Sequence, residues 1–101
     1  MKQILLNERP HVADACLSNY TIMSKPSSNV DCYGIDCDNL NFFIQFRNGV
    51  CYFFSGVPID VLNGAVDCES IGKYFNGKIA RQYESRKVLN RLVTEEKVTI
   101  Q

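Results

Sequence analysis

The sequence predicts an α+β fold, a three-stranded antiparallel meander packed by two C-terminal helices, with short N- and C-terminal strands added. Three observations carry this. Residues 40–54, LNFFIQFRNGVCYFF, set Asn48-Gly49 between two aromatic runs, and both residues accept the positive φ of a tight hairpin turn. Ile71, Phe75, Ile79 and Tyr83 follow one another at four-residue steps, which stacks them on one slowly drifting helix face. Residues 2–6 (KQILL) and 97–101 (KVTIQ) are short β-prone runs that could pair and bring the two ends together.

Two registers are open to the hairpin, and they bury different faces. A two-residue turn opposes Arg47 and Val50, so that Phe42, Ile44 and Phe46 share a face with Cys51 and Phe53. A three-residue turn with Gly49 in a bulge opposes Phe46 and Val50, so that Phe42, Ile44, Phe46, Val50, Tyr52 and Phe54 share a face. A slip of one residue flips every side chain of a strand, so one register alone is right. The bulged one is preferred because it gathers the larger apolar volume. Phe43 lies on the second face in both, so that face must also be covered.

The remaining elements follow in order. Lys2–Leu6 reads as a strand, Asn7–Pro10 as a break, His11–Asn19 as one or two helical turns and Tyr20–Met23 as a short apolar run. The Pro-, Ser- and Asn-rich stretch Ser24–Asn29 is a loop, dividing an N-terminal extension (1–27) from the main domain (28–83). Val30–Cys37 is the first meander strand, and Gly34 within it marks a bulge or a close backbone approach. Pro58 suits the first turn of a helix over Ile59–Ala65, with Val61, Leu62 and Ala65 inward. Ser70 is the N-cap of a second helix, with a kink or restart at Gly77. Its apolar pattern continues through Val88, Leu89, Leu92 and Val93, so residues 84–101 read as a helix continuation and a tail strand.

At 101 residues the chain is one domain with one modest core. No apolar run approaches the roughly 20 residues that span a bilayer, and the start MKQILLNERP lacks a signal-peptide pattern, so no membrane is expected and the location is read as cytoplasmic. Five cysteines, odd in number and without a Cys-x-x-Cys pair, read as reduced, buried small hydrophobes rather than disulfides or zinc ligands. No cofactor is implied.

No catalytic set assembles either, and the chain reads as a non-enzyme. Residues 72–78, GKYFNGK, have the spacing of a phosphate-binding loop, but Ile79 stands where a Mg²⁺-ligating Ser or Thr is required and no apolar strand precedes it. His11 is the sole imidazole. Asp31, Asp36 and Asp38 read as loop and edge-strand solubilisers.

A net charge of zero hides an asymmetry. Residues 1–72 carry a net −4 and residues 73–101 a net +4. The second helix is therefore expected to be basic, with Lys73, Lys78, Arg81, Arg86, Lys87 and Arg91 facing phosphates or an acidic protein surface, or simply solvating an outer face.

Several of these residues occur together in a known family. Ser28-Asn29-Val30, Tyr33-Gly34-Ile35-Asp36, Asn48-Gly49, Tyr52-Phe53-Phe54, Val57-Pro58, and the run Ser70-Ile71-Gly72-Lys73-Tyr74-Phe75-Asn76 with Ile79 and Tyr83 resemble the KTSC domain over residues 28–83. That domain is named for the C-terminus of some lysyl-tRNA synthetases and also occurs as stand-alone bacterial and phage proteins. The family's Tyr-x-Tyr centre is Tyr52-Phe53-Phe54 here, so the second hydroxyl is absent. The resemblance implies RNA binding by association.

Three binding functions are therefore carried forward. The first is an RNA contact, with the basic residues on phosphates and an uncovered aromatic such as Phe43 stacking a base. The second is an inhibitor, encoded by a phage or mobile element and acting in the host cytosol, that blocks a host or defence protein in the manner of an anti-CRISPR. The third is sequestration of a nucleotide between protomers, with Phe43 lining the pocket. An exposed second sheet face would also favour a homodimer.

Overall fold

The computed structural model describes the backbone of residues 2–6, 9–13, 17–25 and 27–95, and the side chains of 17–25 and 27–93. The fold is α+β, and its meander has five strands. In chain order these are β3 (Thr21–Met23), β4 (Val30–Asp36), β5 (Asn41–Phe46), β6 (Cys51–Ser55) and β7 (Glu84–Val88), each antiparallel to the next. Between β6 and β7 the chain makes α1 (Ile59–Asp67) and α2 (Ile71–Tyr74), which runs on as a π-helical turn over Phe75–Ile79. A second sheet joins β1 (Lys2–Leu6), β2 (Arg9–Ala13) and β8 (Val93–Glu95) in the order β1-β2-β8.

The hairpin takes the bulged register. Phe42 opposes Phe54, Phe43 opposes Phe53, Ile44 opposes Tyr52 and Gln45 opposes Cys51. Phe46 N–H donates to the Val50 carbonyl at 2.9 Å, and Gly49 turns the chain at φ 89°. Gly34 marks a close approach: a Cβ there would lie 2.6 Å from Ile22 Cδ1. The bulge of β4 falls elsewhere, between Val30 and Cys32.

The helix-side core joins Tyr33, Ile35, Phe42, Ile44 and Phe54 of the sheet to Val57, Leu62, Ala65, Ile71, Phe75 and Ile79. Pro58 sits at the N-cap of α1, its carbonyl accepting from Val61 and Leu62 N–H at 3.0 and 3.1 Å. The Ser70 hydroxyl caps α2 by accepting from Lys73 N–H at 3.4 Å.

The second face is covered as well. Cys32, Phe43 and Cys51 pack with Leu17, Tyr20, Ile22 and Val93. The fully buried Gln45 holds this layer together: its Nε2 donates to Asp31 Oδ2 (2.9 Å) and the Val93 carbonyl (2.8 Å). Its Oε1 accepts from Leu92 and Val93 N–H at 3.0 and 2.8 Å.

Three expectations are corrected. The second helix does not continue through Val88–Val93; it stops at Ile79, and the following chain forms β7 and β8. A four-residue spacing drifts around an α-helix, and the wider π turn, closed by Ala80 N–H on the Phe75 carbonyl at 2.8 Å, keeps Ile79 in the core. His11–Ala13 is strand rather than helix, and Arg9 and Pro10 belong to β2 rather than to a break. The described residues of 17–20 make one short turn, closed by Tyr20 N–H on the Leu17 carbonyl. β1 pairs with β2, and the C-terminal strand that joins them is Val93–Glu95; Lys97–Gln101 lies outside the described residues. Among the described residues, no helix is long and apolar enough to cross a membrane.

Candidate nucleic-acid interface

The helices cover only part of the aromatic face. Beside the π turn, the turn end of the hairpin and β7 leave a groove of about 560 Å³. Its floor is Phe46, Tyr52, Phe54 and Phe75; its rim is Asn48, Asn76, Arg81, Ser85 and Lys87. The volume falls within the roughly 300–1,000 Å³ of ordinary ligand sites.

Each part is placed by local chemistry. The bulged register directs Phe46, Tyr52 and Phe54 to one side. Phe75 meets Phe54 and Phe46 at centroid distances of 5.5 and 5.6 Å, edge to face, and Phe46 meets Tyr52 at 6.1 Å, also edge to face. These contacts hold the rings at fixed tilts. On β7 side chains alternate, so Ser85 and Lys87 face the groove while Glu84 and Arg86 face away. Lys87 Nζ lies 5.9 Å from the Tyr52 ring centroid, a cation–π distance.

Arg81 reaches the rim through an unusual backbone. Its φ is 66°, the left-handed region that a non-glycine residue enters at a cost of about 1 kcal/mol or more. The π turn ends immediately before it, and the Gln82 side chain steadies the exit by donating to the Gly77 carbonyl at 2.7 Å. Among the described residues Arg81 has no hydrogen-bond or ion-pair partner, so its guanidinium is available to an anion at the groove mouth.

The expected basic helix is not formed, and its residues are dispersed. Lys73 lies on α2 and Lys78 on the π turn, both exposed and off the groove lining. Arg81 and Lys87 are brought together at the rim. Arg86 sits on the other side of the sheet, 5.0 Å over the Phe53 ring. Arg91 donates to the Arg47 carbonyl at 2.7 Å, a loop tie. Phe43 is fully buried, with centroids 5.1 Å from Phe53 and 6.1 Å from Tyr20. It can neither stack a base nor line a nucleotide pocket, because β3 and the chain around Val93 close the face it points to. Among the described residues, no cluster of three or more His, Cys, Asp or Glu side chains could hold a metal ion.

Sequence reasoning does not single out Phe46, Tyr52, Asn48, Asn76 or Ser85 as site residues. The available signal was the hairpin itself: its aromatic face is longer than a short α1 and α2 can cover.

The groove can be set against known proteins. A family model, the KTSC domain, matches residues 26–83. This chain belongs to the KTSC domain family. The crystal structure of a KTSC domain protein from Yersinia pestis is similar, with 30% sequence identity and a TM-score of 0.63, over 68% of this chain and 97% of that one. No curated protein matches. The KTSC match contains the groove's aromatic floor and Arg81; Ser85 and Lys87 lie beyond it.

Proposed function

We propose that this KTSC domain protein is a non-enzymatic, cytoplasmic binding module for single-stranded RNA. One observation carries the reading: a concave aromatic floor, Phe46, Tyr52, Phe54 and Phe75, under two cations, Arg81 and Lys87, in one groove. Single-stranded nucleic acids are held by this combination, since every base offers a π face and every linkage a phosphate. The half-buried Tyr52 ring is the stacking surface. Arg81 and Lys87 meet the phosphates on either side of the stacked base. The set of rings, amides, two hydroxyls and two positive charges binds by stacking and charge, with no chemical step required.

Fluorescence anisotropy with labelled single-stranded RNA homopolymers tests this, at low salt and then through a salt series. Tyr52→Ala is expected to remove about 1–3 kcal/mol, the worth of one stacked base. Arg81→Ala and Lys87→Ala should each make the slope of log K against log salt shallower by about 0.7. Lack of binding to any homopolymer at low salt would overturn the reading. A mononucleotide that competes as well as the polymer would move it to nucleotide sequestration. Retention of a host or defence protein, with no RNA affinity, would move it to the inhibitor.

A further inference from the structure

We propose that the open edge of β7 pairs antiparallel with β7 of a second copy, centred on Ser85, to form a two-fold dimer with one continuous ten-stranded sheet. β7 ends the main sheet, and Glu84, Ser85, Arg86 and Lys87 are all exposed. The opposite edge, β3, has only three residues. Unpaired strand edges are templates for a further strand, and a short one is the better protected.

The hydrogen-bond phase of the sheet says which groups β7 presents. Phe46 and Val50 form the closing hydrogen-bonded pair of the hairpin. Bonded and non-bonded pairs alternate in an antiparallel ladder, so Tyr52 and Phe54 direct their amides to β5, while Cys51, Phe53 and Ser55 direct theirs to β7. Those three oppose Val88, Arg86 and Glu84. The N–H and C=O groups of Ser85 and Lys87 therefore point outward, and among the described residues none of them has a partner.

Charge then selects one register. Outward residues must oppose outward residues, so the pairing can shift only in steps that keep the same faces together. Centring on Glu84, Arg86 or Lys87 sets a like charge directly against its own copy, which is destabilising, and centring on Val88, the last residue of β7, leaves no other β7 residue paired within the strand. Centring between Ser85 and Lys87 is the Arg86 case. Centring on Ser85 sets Ser85 against Ser85 and Glu84 against Arg86 twice. These Glu84–Arg86 pairs fall at non-hydrogen-bonded positions, where side chains across the strands come closest. The sequence Glu84-Ser85-Arg86 is thus self-complementary about its middle residue. The two-fold axis runs perpendicular to the sheet, so both aromatic grooves open on the same side. The dimer stands whether or not the groove binds RNA.

Sedimentation equilibrium across a concentration series tests the proposal, with thermal melts confirming that each variant is folded. The native chain should show a concentration-dependent dimer. Ser85→Pro removes an outward N–H that the fold itself does not use, and should leave a monomer. Arg86→Glu should weaken the dimer about tenfold or more, by setting Glu84 against a second carboxylate. The exchange of both, Glu84→Arg with Arg86→Glu, should restore it. A native chain that stays monomeric to about 1 mM, the weak end of specific association, overturns the proposal. So does a dimer that survives Ser85→Pro unchanged, or a double exchange that fails to recover association. Should Ser85→Pro fail to fold, the charge-exchange series decides.

Discussion

The two faces of the main sheet are both buried, yet they are closed by different means. The helix face is sealed by one contiguous stretch, Val57 to Ile79, through apolar contact, and it is left open at one end as the groove. The second face is sealed by segments from opposite ends of the chain, Leu17–Ile22 and Val88–Val93, and a single buried amide fixes the later one. Apolar packing tolerates adjustment. A hydrogen-bond hub does not, because each group it releases stays desolvated. The difference separates a face that can offer a binding surface from one whose task is closure.

The largest effect should come from breaking the hub. Gln45→Leu leaves Asp31 Oδ2, the Val93 carbonyl and the Leu92 and Val93 amides without their partner. The expected loss is about 3 kcal/mol or more in urea unfolding. It should be local first: the amides of Leu92 and Val93 should exchange faster while those of β5 and β6 stay protected. Deleting one methylene on the helix face, Ile44→Val, should cost about 1 kcal/mol and leave the pattern of exchange unchanged. Equal, uniform losses from the two variants would show that both faces are held by packing alone.

The same contrast explains what the sequence made legible. The bulged hairpin, the inward set Phe42, Ile44 and Phe54 and the Ser70 cap rest on local rules, and all are observed; at Gly34 the Ile22 side chain comes close rather than a backbone. β7 was hidden because residues 84–87 are Glu, Ser, Arg and Lys, an edge strand with no alternation of apolar and polar residues. Four-residue spacing on α2 also mimics a longer helix, and the π turn that ends it has no sequence signature. Pro10 argued against a strand at β2. On the site, the sequence displays the two useful cations but offers Phe43 as their aromatic partner. The identity of the ring depends on what seals the second face, and that comes from residues more than 20 positions away from it in either direction.

Glycines at the two packing interfaces give the next test. A Cβ on Gly64 of α1 would overlap the Tyr74 hydroxyl, which donates to the Val61 carbonyl at 2.7 Å and so cannot easily swing aside. Gly64→Ala should cost about 2 kcal/mol, in spite of the better helix propensity of alanine. A Cβ on Gly34 meets mainly the tip of Ile22, with Tyr20 Cβ at 3.3 Å. Ile22 can change rotamer, so Gly34→Ala should cost about 1 kcal/mol. Thermal melts of the pair rank the two interfaces, and a reversed order would place the rigid packing on the second face.

Alkaline titration addresses the faces separately. Burial, with the charges of Asp31 and Cys51 beside it, pushes the Cys32 thiol well above its ordinary 9.0. On the helix face burial, then Cys68 and Asp67, raise Tyr33 from 10.0 to about 12. Both groups hold a proton in the folded state that the unfolded chain has released, so stability is intact below the ordinary values and declines above them. The fall should begin near pH 9.0 through Cys32, at about 1 kcal/mol per pH unit. Cys32→Ala should delay its onset to near pH 10.0, where Tyr33 takes over. Denaturant midpoints measured across this range check both steps; a Cys32→Ala curve that coincides with the native one would remove the thiol from the account.

The smallest expected change bears on the open end of the helix face. Arg81 holds φ at 66° where a glycine would sit without steric penalty. Arg81→Gly should therefore raise stability by about 0.5 kcal/mol, the relief of strain being partly offset by the greater freedom of glycine in the unfolded chain. That is a shift of roughly 2–4 °C in a domain of this size. RNA affinity should fall at the same time, since the guanidinium at the groove mouth is lost. A residue kept in a conformation that costs stability, at the rim of a groove, and whose replacement improves the fold while weakening binding, is there for the ligand. If Arg81→Gly destabilises the protein instead, the side chain is holding the turn, and the cationic rim reduces to Lys87.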